Sequence, residues 1–368
     1  MEPKYDYLIV GAGFFGATFA HEMHKRGFKC LVIDKRSHIA GNCYTDERDG
    51  INLHIYGPHI FHTNDRRIWD WIRGFGEFHQ YKHSPKVSHS GRIYSFPINL
   101  MTLHQIYGVR TPEEGRAILA SKTQGYDPQA SDLEGWCLSQ IGPELYEIFI
   151  KGYTQKQWGR DPKELPSSII KRLPVRFNYD DNYFFDKYQG IPVGGYTQLF
   201  EKILDGIEVR LNTDYFTHKE ELHSLAKRVV YTGPIDAYFD YQHGPLDYRT
   251  LKFEVERLEQ EDHQGCSIVN WTSADVPWTR TTEHCHFEGG SKGPHTWVTK
   301  EFPKEYASGD EPYYPINDES NQRKFKLYRD LARQETGVIF GGRLAEYRYY
   351  DMHQIIASAL KAVEDELS

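Results

Sequence analysis

The hydrophobic and polar positions of this chain fall into blocks, and the first block predicts an α/β unit. The apolar run Tyr5–Val10 predicts a buried strand, residues 17–25 predict a helix, and Cys30–Ile33 predict a second strand that ends at Asp34. A strand, a helix and a strand in this order form a βαβ unit with parallel strands. The chain therefore begins with part of a parallel, doubly wound sheet.

Later blocks predict helices in the middle of the chain and strands on both sides of them. Helical spacing, interrupted by Pro and Gly, covers residues 113–121, 133–141 and 144–151. Strand-like spacing covers residues 92–97, 177–188, 207–211, 228–231, 251–257, 266–272, 280–287 and 295–301. A strand at 337–343 and a helix from near Asp351 close the chain. The C-terminus is therefore expected to complete the first sheet.

The first turn contains the glycine pattern of a dinucleotide-binding site. Gly11 permits the tight turn, Gly13 lets the backbone approach a pyrophosphate, and Gly16 allows close packing of helix on strand. The free N–H groups at the start of the helix favour negative charge. Asp34 is placed to accept hydrogen bonds from a ribose and would repel a 2′-phosphate. This pattern favours FAD or NAD over NADP; the alternative is a glycine-rich turn in an unrelated α/β protein.

Composition narrows the class of protein. With 368 residues, 26% charged and 39% hydrophobic, the chain is typical of a soluble globular protein of two or three domains. The net charge of −8 disfavours nucleic-acid binding, so an anionic ligand needs a local cluster of arginines. Five cysteines without a C-x-x-C pair favour a reducing compartment. No leader and no long apolar run is evident, so a cytoplasmic protein without a membrane span is expected.

Two segments are candidates for binding a nucleotide. Tyr153 and Trp158, at the end of a helical stretch, could sandwich a base, or they could simply pack the helix end. Arg172 and Arg176 flank a proline and could clamp phosphates, or they could form a solvated run of charge. The 26 tyrosines support either a large aromatic core or a sugar-nucleotide pocket, where rings stack and hydroxyls bond phosphate.

Two further segments suggest a metal and a cofactor contact. His284 and His286 would share one face of a strand at 280–287, but no third ligand is evident, so no metal is predicted and Arg280 is the stronger candidate. The Gly341–Gly342 pair, followed by a helix start at Asp351, would bring backbone donors toward the far end of a bound FAD.

Together these segments resemble bacterial UDP-galactopyranose mutases, flavoenzymes that form galactofuranose for cell-wall polysaccharide. The matching pieces run in order from the first strand to the last helix: GAGFFG, YGPHIFHT, KGYTQKQWG, KRLPVRFNYDDNYF, YQGIPVGGYT, YTGPIDAYFDY, EPYYPIN and GGRLAEYRYYDMH. The resemblance covers nearly the whole chain, and several pieces are specific to that family rather than to flavoproteins in general.

The resemblance implies a role for each matching position. FAD would contact Gly11, Gly13, Phe15, Gly16, Asp34, Lys35, Asn42, His59, Ile60, Asp214, Gly342, Arg343, Tyr350, Asp351, Met352 and Ile355. The substrate would contact His83, Tyr153, Thr154, Trp158, Tyr183, Asn270, Tyr314, Tyr349 and Asp351. The catalytic set would be Arg172, Arg280, His59 and His62, with the two arginines on the diphosphate.

The implied reaction interconverts UDP-galactopyranose and UDP-galactofuranose through a covalent flavin N5–sugar adduct on reduced FAD. It leaves no net redox change, and it needs a flavin reductant that the sequence does not identify. The expected assembly is a homodimer or a higher homo-oligomer, with no nucleic acid or membrane as partner. One position departs from the family: His83 stands where asparagine is common. His62 matches the pattern of galactose-using members.

Other functions remain open at this stage. A mutase acting on UDP-N-acetylgalactosamine would share the motifs, and an FAD-dependent oxidase of the amine-oxidase type would share the glycine turn and the late strand. A protein-binding relative with the GDP-dissociation-inhibitor fold would lack flavin. An NAD dehydrogenase is disfavoured because no second nucleotide turn is present.

The predicted fold class is α/β, with a discontinuous Rossmann-like FAD-binding domain, an inserted helical domain and a mainly antiparallel β-sheet domain. The FAD-binding domain is predicted over residues 1–78, 190–243 and 335–368. The helical domain is predicted over 99–176, with a mobile substrate lid at about 164–176 that the resemblance implies. The antiparallel domain is predicted over 79–98, 177–189 and 244–334.

Overall fold

The computed structural model describes residues 3–170, 175–290, 293–307 and 309–368. Arg172, one of the predicted catalytic residues, lies outside the described residues. None of the helices in these ranges combines the length and the apolar character that crossing a bilayer requires.

A five-stranded parallel sheet forms the dinucleotide-binding part of the fold. Its strands lie in the spatial order Glu208–Arg210, Cys30–Ile33, Tyr5–Val10, Ala226–Tyr231 and Val338–Phe340. Leu8 and Ile9 in the central strand are fully buried, as expected where helices and loops cover both faces of a parallel sheet. The late strand completes this sheet, as the sequence predicts, and the α/β class is confirmed.

Two helices from opposite ends of the chain cover one face of the parallel sheet. Phe14–His24 follows the first strand, and Met352–Glu366 packs beside it. Phe19 and Ile356 belong to the resulting core. The N-terminal and C-terminal segments are thereby joined in one hydrophobic core.

Helices fill the middle of the chain. They are Leu100–Tyr107, Pro112–Thr123, Leu133–Tyr146 and Gly152–Trp158, with a π-helical turn at Glu147–Lys151. Asn99 and Thr111 begin the first two with capping boxes, in which side chain and backbone satisfy each other's orphan groups. Gly142, with φ of 75°, bends the third helix. A separate cluster around Leu103, Leu145 and Phe149 forms the core here.

A seven-stranded sheet forms the opposite wall. Its order is Tyr314–Pro315, Tyr248–Leu258, Thr296–Glu305, Arg280–Glu283, Ile268–Trp271, Lys86–His89 and Arg92–Ser95. Neighbouring strands are antiparallel except Ile268–Trp271 and Lys86–His89, which run parallel. The register places residues of consecutive strands side by side, and this determines the chemistry of the site described below.

Smaller elements connect the large ones. The remaining strands are Thr45–Arg48 with Ile51–His54, and Tyr188–Pro192 with Phe61–Thr63 and Phe78–His79. The remaining helices are Arg66–Arg73, Gly195–Ile203, Lys219–Leu225, Ile235–Tyr238 and Glu319–Ala332. Short 3-10 turns occupy Gly41–Cys43, Pro162–Glu164, Ser167–Ile169 and His284–Glu288. The division of these elements into domains stays a prediction.

Two predicted strands are wrong in extent. Residues 177–187 form no strand, because their aromatic side chains form cavity walls and loop contacts instead; pairing starts at Tyr188. The strand predicted at 280–287 ends at Glu283 and coils into a 3-10 turn. His284 and His286 therefore do not share a strand face.

The turn at His284–Glu288 gives those two histidines different surroundings. His284 is fully buried and contacts the Thr299 hydroxyl at 2.7 Å. His286 faces Glu283, whose carboxylate also accepts the backbone N–H groups of His263 and Gln264. The potential ligand atoms that lie close together are therefore those of Glu283, Cys285 and His286. The expectation that His284 and His286 form a pair is wrong.

Candidate functional site

A cavity of about 910 Å³ lies between the two large sheets. It begins at the carboxyl ends of the parallel strands, where open α/β sheets bind ligands, and extends to the seven-stranded sheet. Every described residue to which the family resemblance gives a site role lines it, except Trp158. Trp158 packs against the core of the helical region, which favours a packing role for this ring. Tyr153 lines the cavity, but Trp158 does not.

The glycine turn has the close contacts that its sequence predicts. Gly11 has φ of +109°, and a Cβ there would lie 2.1 Å from the hydroxyl oxygen of Thr232. A Cβ on Gly16 would lie 2.0 Å from the carbonyl oxygen of Gly11. A Cβ on Gly13, in contrast, would lie no closer than 3.9 Å to another heavy atom, the Cα of Gly41. Gly11 and Gly16 are thus required by the fold, whereas Gly13 leaves open backbone beside the cavity.

Asp34 ties this turn together at the end of the second strand. One carboxylate oxygen accepts the backbone N–H of Ala12 and the other that of Arg36, both at 2.9 Å. Each oxygen can accept a further hydrogen bond, and contact with a ribose stays a prediction. Lys35 lies nearby but forms an ion pair with Glu311 at 2.9 Å, and no local pattern in the sequence predicts this acidic neighbour.

Arg343 places a buried positive charge in the cavity wall. Its guanidinium donates to the carbonyl oxygens of Pro312, at 3.0 Å, and Tyr313. Among the residues that the structure describes, no carboxylate forms an ion pair with it. Burial lowers the pKa of Arg343, and four neighbouring tyrosines oppose that effect only in part. A glycine turn, an acid at the second strand and a buried arginine together fit a dinucleotide such as FAD.

His59 lies close enough to two of the arginines that line the cavity, Arg343 and Arg280, to be affected by their charges. Its Nδ1 atom contacts the carbonyl oxygen of Gly57 at 2.8 Å. Burial lowers the pKa of His59 to about 4, and the charges of Arg343 and Arg280 act in the same direction. The imidazole is therefore neutral at neutral pH and adds no positive charge beside these two arginines.

The seven-stranded sheet builds the other half of the cavity from one row of side chains. The register pairs Asn270 with Arg280 and Arg280 with Glu301 on consecutive strands. Directly paired residues point to the same face of a sheet, and here that face lines the cavity. Glu301 could not be found from the sequence alone, because a register between distant strands leaves no local signal.

Arg280 remains charged in this row. Its guanidinium lies 3.8 Å from the carboxylate of Glu301 and donates to the Tyr153 hydroxyl at 3.2 Å. Burial acts to lower the pKa of Arg280, but the negative charge of Glu301 outweighs it and the pKa is raised. Glu301 is 3% exposed, and burial raises its pKa. The long ion pair leaves the guanidinium able to bind a further anion.

Tyrosine hydroxyls surround this arginine. The rings of Tyr314 and Tyr349 stack with centroids 6.0 Å apart, and both line the cavity with Tyr183. Burial raises the pKa of Tyr314 well above its ordinary value, so its hydroxyl keeps its proton and can donate to an anion. The arrangement suits the oxygens of a diphosphate.

His83 brings an unusual imidazole into the aromatic wall. It is 8% exposed, and its ring lies 5.5 Å from Tyr183 and 5.6 Å from Phe184. Burial lowers the pKa of His83 to about 3, so the ring is neutral. Its Nδ1 atom is buried without a hydrogen-bond partner among the described residues. A buried, unpaired ring nitrogen beside a cavity favours a ligand with a polar group there.

His62 and Arg176 complete the predicted positions. His62 lines the cavity and contacts Asp186, an acid that the sequence analysis did not single out. Arg176, in contrast, is buried under Phe185 and donates to the backbone carbonyls of Asp180 and Asn182. It ties its own loop together and does not reach the cavity, so its candidate role as a phosphate clamp is wrong.

The helix Gly152–Trp158, which supplies Tyr153, is anchored by a buried lysine. The Nζ atom of Lys156 lies 2.7–3.0 Å from four backbone carbonyl oxygens, those of Trp271, Ser273, Val276 and Trp278, which share its three N–H donors. We expect Lys156→Met to lower the free energy of unfolding by about 3 kcal/mol or more, because those carbonyls would lose their shared donor. Burial lowers the pKa of Lys156 to about 8, so the ammonium is charged at neutral pH.

Urea denaturation at neutral pH measures this effect. Lys163→Met is the matched control, because Lys163 is exposed and forms a surface ion pair with Glu134 at 3.5 Å. The control should change stability by less than about 0.5 kcal/mol. Equal losses in the two variants would show that the four carbonyl bonds contribute no stability.

The fold and the cavity define a class of protein: a Rossmann-like dinucleotide-binding flavoprotein whose site has a second half built around Arg280. A sequence model of the Rossmann-like NAD(P)-binding domain matches residues 9–75, and that of the UDP-galactopyranose mutase family matches residues 148–349. The chain belongs to the UDP-galactopyranose mutase family. It is an isomerase, and its cofactor is FAD.

Several relatives align with this chain over almost its whole length. A probable UDP-galactopyranose mutase of Klebsiella pneumoniae is 42% identical over 98% of this chain and 94% of its own. A dTDP-fucopyranose mutase of Escherichia coli is 41% identical over 97% of each chain. The crystal structure of a reduced UDP-galactopyranose mutase has the same fold, with a TM-score of 0.74 at 14% identity over 99% of this chain and 95% of that one.

Proposed function

We propose that this isomerase interconverts UDP-galactopyranose and UDP-galactofuranose, with FAD in its reduced form. The observation that carries the proposal is the half of the cavity at the seven-stranded sheet, where a charged Arg280 lies among the hydroxyls of Tyr153 and Tyr314. It is continuous with the glycine turn for the dinucleotide. A sugar-nucleotide mutase needs room for a second diphosphate beside FAD, whereas an oxidase of small amines does not.

The residues present fit FAD in the other half of the cavity. The turn of Gly11, Gly13 and Gly16 would face its pyrophosphate, Asp34 its ribose, and Arg343 its negative charge. When bound, reduced FAD supplies a nucleophile, its N5 atom, for the anomeric carbon of the sugar, so that the ring changes size without net oxidation.

The side chains around Arg280 act on the diphosphate. Negative charge develops on this group as its bond to the sugar breaks, and a preorganised guanidinium stabilises that charge by about 3 kcal/mol or more in a water-poor site. The hydroxyl of Tyr314 keeps its proton and donates to the same oxygens. Glu301 pairs with one side of the Arg280 guanidinium and leaves its other N–H groups able to donate to the diphosphate. The diphosphate is thereby held for its return to the anomeric carbon.

A second candidate is a mutase for dTDP-fucopyranose, because the relative with that name is 41% identical over nearly the full chain. The two substrates differ in the base, in the ribose 2′-hydroxyl and in the sugar, since fucose is the 6-deoxy form of galactose. The unpaired Nδ1 of His83 favours the substrate with the additional hydroxyl. We therefore place UDP-galactopyranose first.

The proposal is tested by incubating the purified protein with UDP-galactofuranose, with and without dithionite, and following UDP-galactopyranose by chromatography. Conversion that requires dithionite supports both the substrate and the reduced flavin. No conversion with flavin bound and reduced would overturn the choice of substrate, and the same assay with dTDP-fucopyranose then decides the second candidate.

His83 gives the specificity prediction. We expect His83→Phe to lower kcat/KM for UDP-galactose about tenfold or more, and for dTDP-fucose less than about twofold, because phenylalanine keeps the packing but removes both ring nitrogens. His83→Asn is the control, since an amide restores a donor and an acceptor and should retain most activity on UDP-galactose. Equal losses of kcat/KM on the two substrates would show that His83 does not discriminate between their sugars.

A further inference from the structure

His62 is held on three sides within the cavity wall. The ring of Phe184 stacks on its face with centroids 3.8 Å apart and planes 15° from parallel. His353 meets it edge-on at 5.2 Å. The carboxylate of Asp186 lies 2.5 Å from its Nδ1 atom. A ring restrained in this way has one orientation relative to the cavity that it lines.

The carboxylate of Asp186, which contacts His62, is itself held by the strand pairing next to it and by Asn64. His62 is the middle residue of the strand Phe61–Thr63, which pairs with Tyr188–Pro192, and Asp186 lies just before that second strand. The side-chain amide of Asn64 donates to the other carboxylate oxygen of Asp186 and accepts the backbone N–H of Lys187 at 2.9 Å. Asp186 is therefore oriented by its neighbours before any ligand binds.

The chemistry of the pair determines where the imidazole proton lies. An ionised carboxylate can accept hydrogen bonds and cannot donate one, so Nδ1 of His62 must carry the hydrogen. In a neutral ring, Nε2 is then an acceptor. Among the described residues, Nε2 has no hydrogen-bonding partner, although His62 lines the cavity.

We propose that Asp186 is a positioning residue for the isomerase reaction, acting through His62. It selects the tautomer with hydrogen on Nδ1 and so directs the Nε2 lone pair to accept a hydrogen bond from a hydroxyl of the substrate's sugar. The inference rests on the proposed function for the identity of the ligand, and on the geometry alone for the tautomer.

The test substitutes Asp186→Asn, which keeps the size of the side chain but introduces an amide that can donate to Nδ1. That donation would reverse the tautomer. Asp181→Asn is the matched control, because Asp181 lies in the same connecting segment and pairs with Lys82 at 2.9 Å and Lys86 at 3.2 Å rather than with a histidine. His62→Gln and the double variant complete a cycle.

Two readouts are expected to move together. Asp186→Asn should lower kcat/KM about tenfold or more while FAD content stays within about twofold, and Asp181→Asn should leave both unchanged. The double variant should be no slower than His62→Gln, since Asp186 acts through that ring. In ¹⁵N-histidine-labelled protein at about pH 8, where an ordinary imidazole is neutral, the His62 signal should report Nδ1–H in the wild type and Nε2–H in Asp186→Asn.

Different results separate this inference from the proposed function. If the wild type shows Nε2–H, or if Asp186→Asn slows turnover equally with and without His62, the inference is overturned and the acid has a structural role. The tautomer is read without substrate. Failure to convert UDP-galactofuranose would therefore refute the proposed function while leaving the tautomer measurement intact.

Discussion

Replacing Arg280 with alanine should lower kcat by about two orders of magnitude or more while FAD stays bound. The guanidinium lies in the half of the cavity away from the glycine turn, so its loss does not touch the residues that fit the dinucleotide. Arg280 pairs with Glu301 on the neighbouring strand of the seven-stranded sheet. The leaving diphosphate is proposed to bind beside this pair. Arg280→Ala should therefore lower kcat and leave the binding of FAD unchanged.

The variant should still fold, because Glu301 has a way to avoid an unpaired buried charge. Burial already raises the pKa of Glu301, and removal of the neighbouring guanidinium raises it further, so the carboxyl group can take up a proton. Arg280→Lys should retain part of the activity, since lysine keeps the charge but loses the planar fork of donors.

Steady-state turnover with dithionite and the ratio of flavin absorbance to protein measure the two effects separately. Arg257→Ala is a suitable control, because Arg257 lies in the same sheet but forms its ion pairs with Asp49 and Glu259 near the surface. Near-normal turnover in Arg280→Ala would remove this arginine from the mechanism.

Gly16→Ala should abolish both the stable fold of the first βαβ unit and the binding of FAD. Helix propensity favours alanine over glycine by about 1 kcal/mol. The new Cβ, however, would lie 2.0 Å from the Gly11 carbonyl oxygen and 2.9 Å from a methyl group of Ile9. Neither backbone nor buried strand can move away cheaply, so a net loss of about 3 kcal/mol or more is expected.

Neighbouring glycines provide controls that separate folding from binding. Gly13→Ala should fold normally, because its Cβ meets nothing closer than 3.9 Å, yet it should lose FAD by filling the space that a pyrophosphate needs. Gly337→Ala should change neither property, since a Cβ there meets nothing within 4 Å. Thermal denaturation and flavin content of the purified variants distinguish the outcomes; a yellow, stable Gly16→Ala protein would contradict the prediction.

The predictions from sequence succeeded where the signal was local. The first strand, the glycine turn and Asp34 are specified within one stretch of chain, because turn geometry and strand burial depend on neighbouring residues. The late strand that completes the parallel sheet was also predicted, since a short apolar run before a helix has few other uses. Residues 177–187 were misassigned because aromatic spacing fits a cavity wall as well as a strand.

The parts that could not be predicted depend on distant segments meeting. Glu301 beside Arg280 follows from sheet register, which pairs residues far apart in the chain. The same is true of Asp186 beside His62, and of Trp158, which the tertiary packing turns toward the helical core. Hydrophobic periodicity states which face of an element is buried, but it does not state which other element covers it.

The sequence by itself thus determined the class of fold, the dinucleotide turn and, through its motifs, the family. The tertiary structure decided which charges and ring nitrogens become neighbours in the cavity wall: Arg280 with Glu301, His59 with Arg343 and Arg280, and His62 with Asp186. The physical reason is that a turn is determined by adjacent residues, whereas the pKa of a side chain and its available lone pairs depend on burial and on neighbours that folding alone brings together.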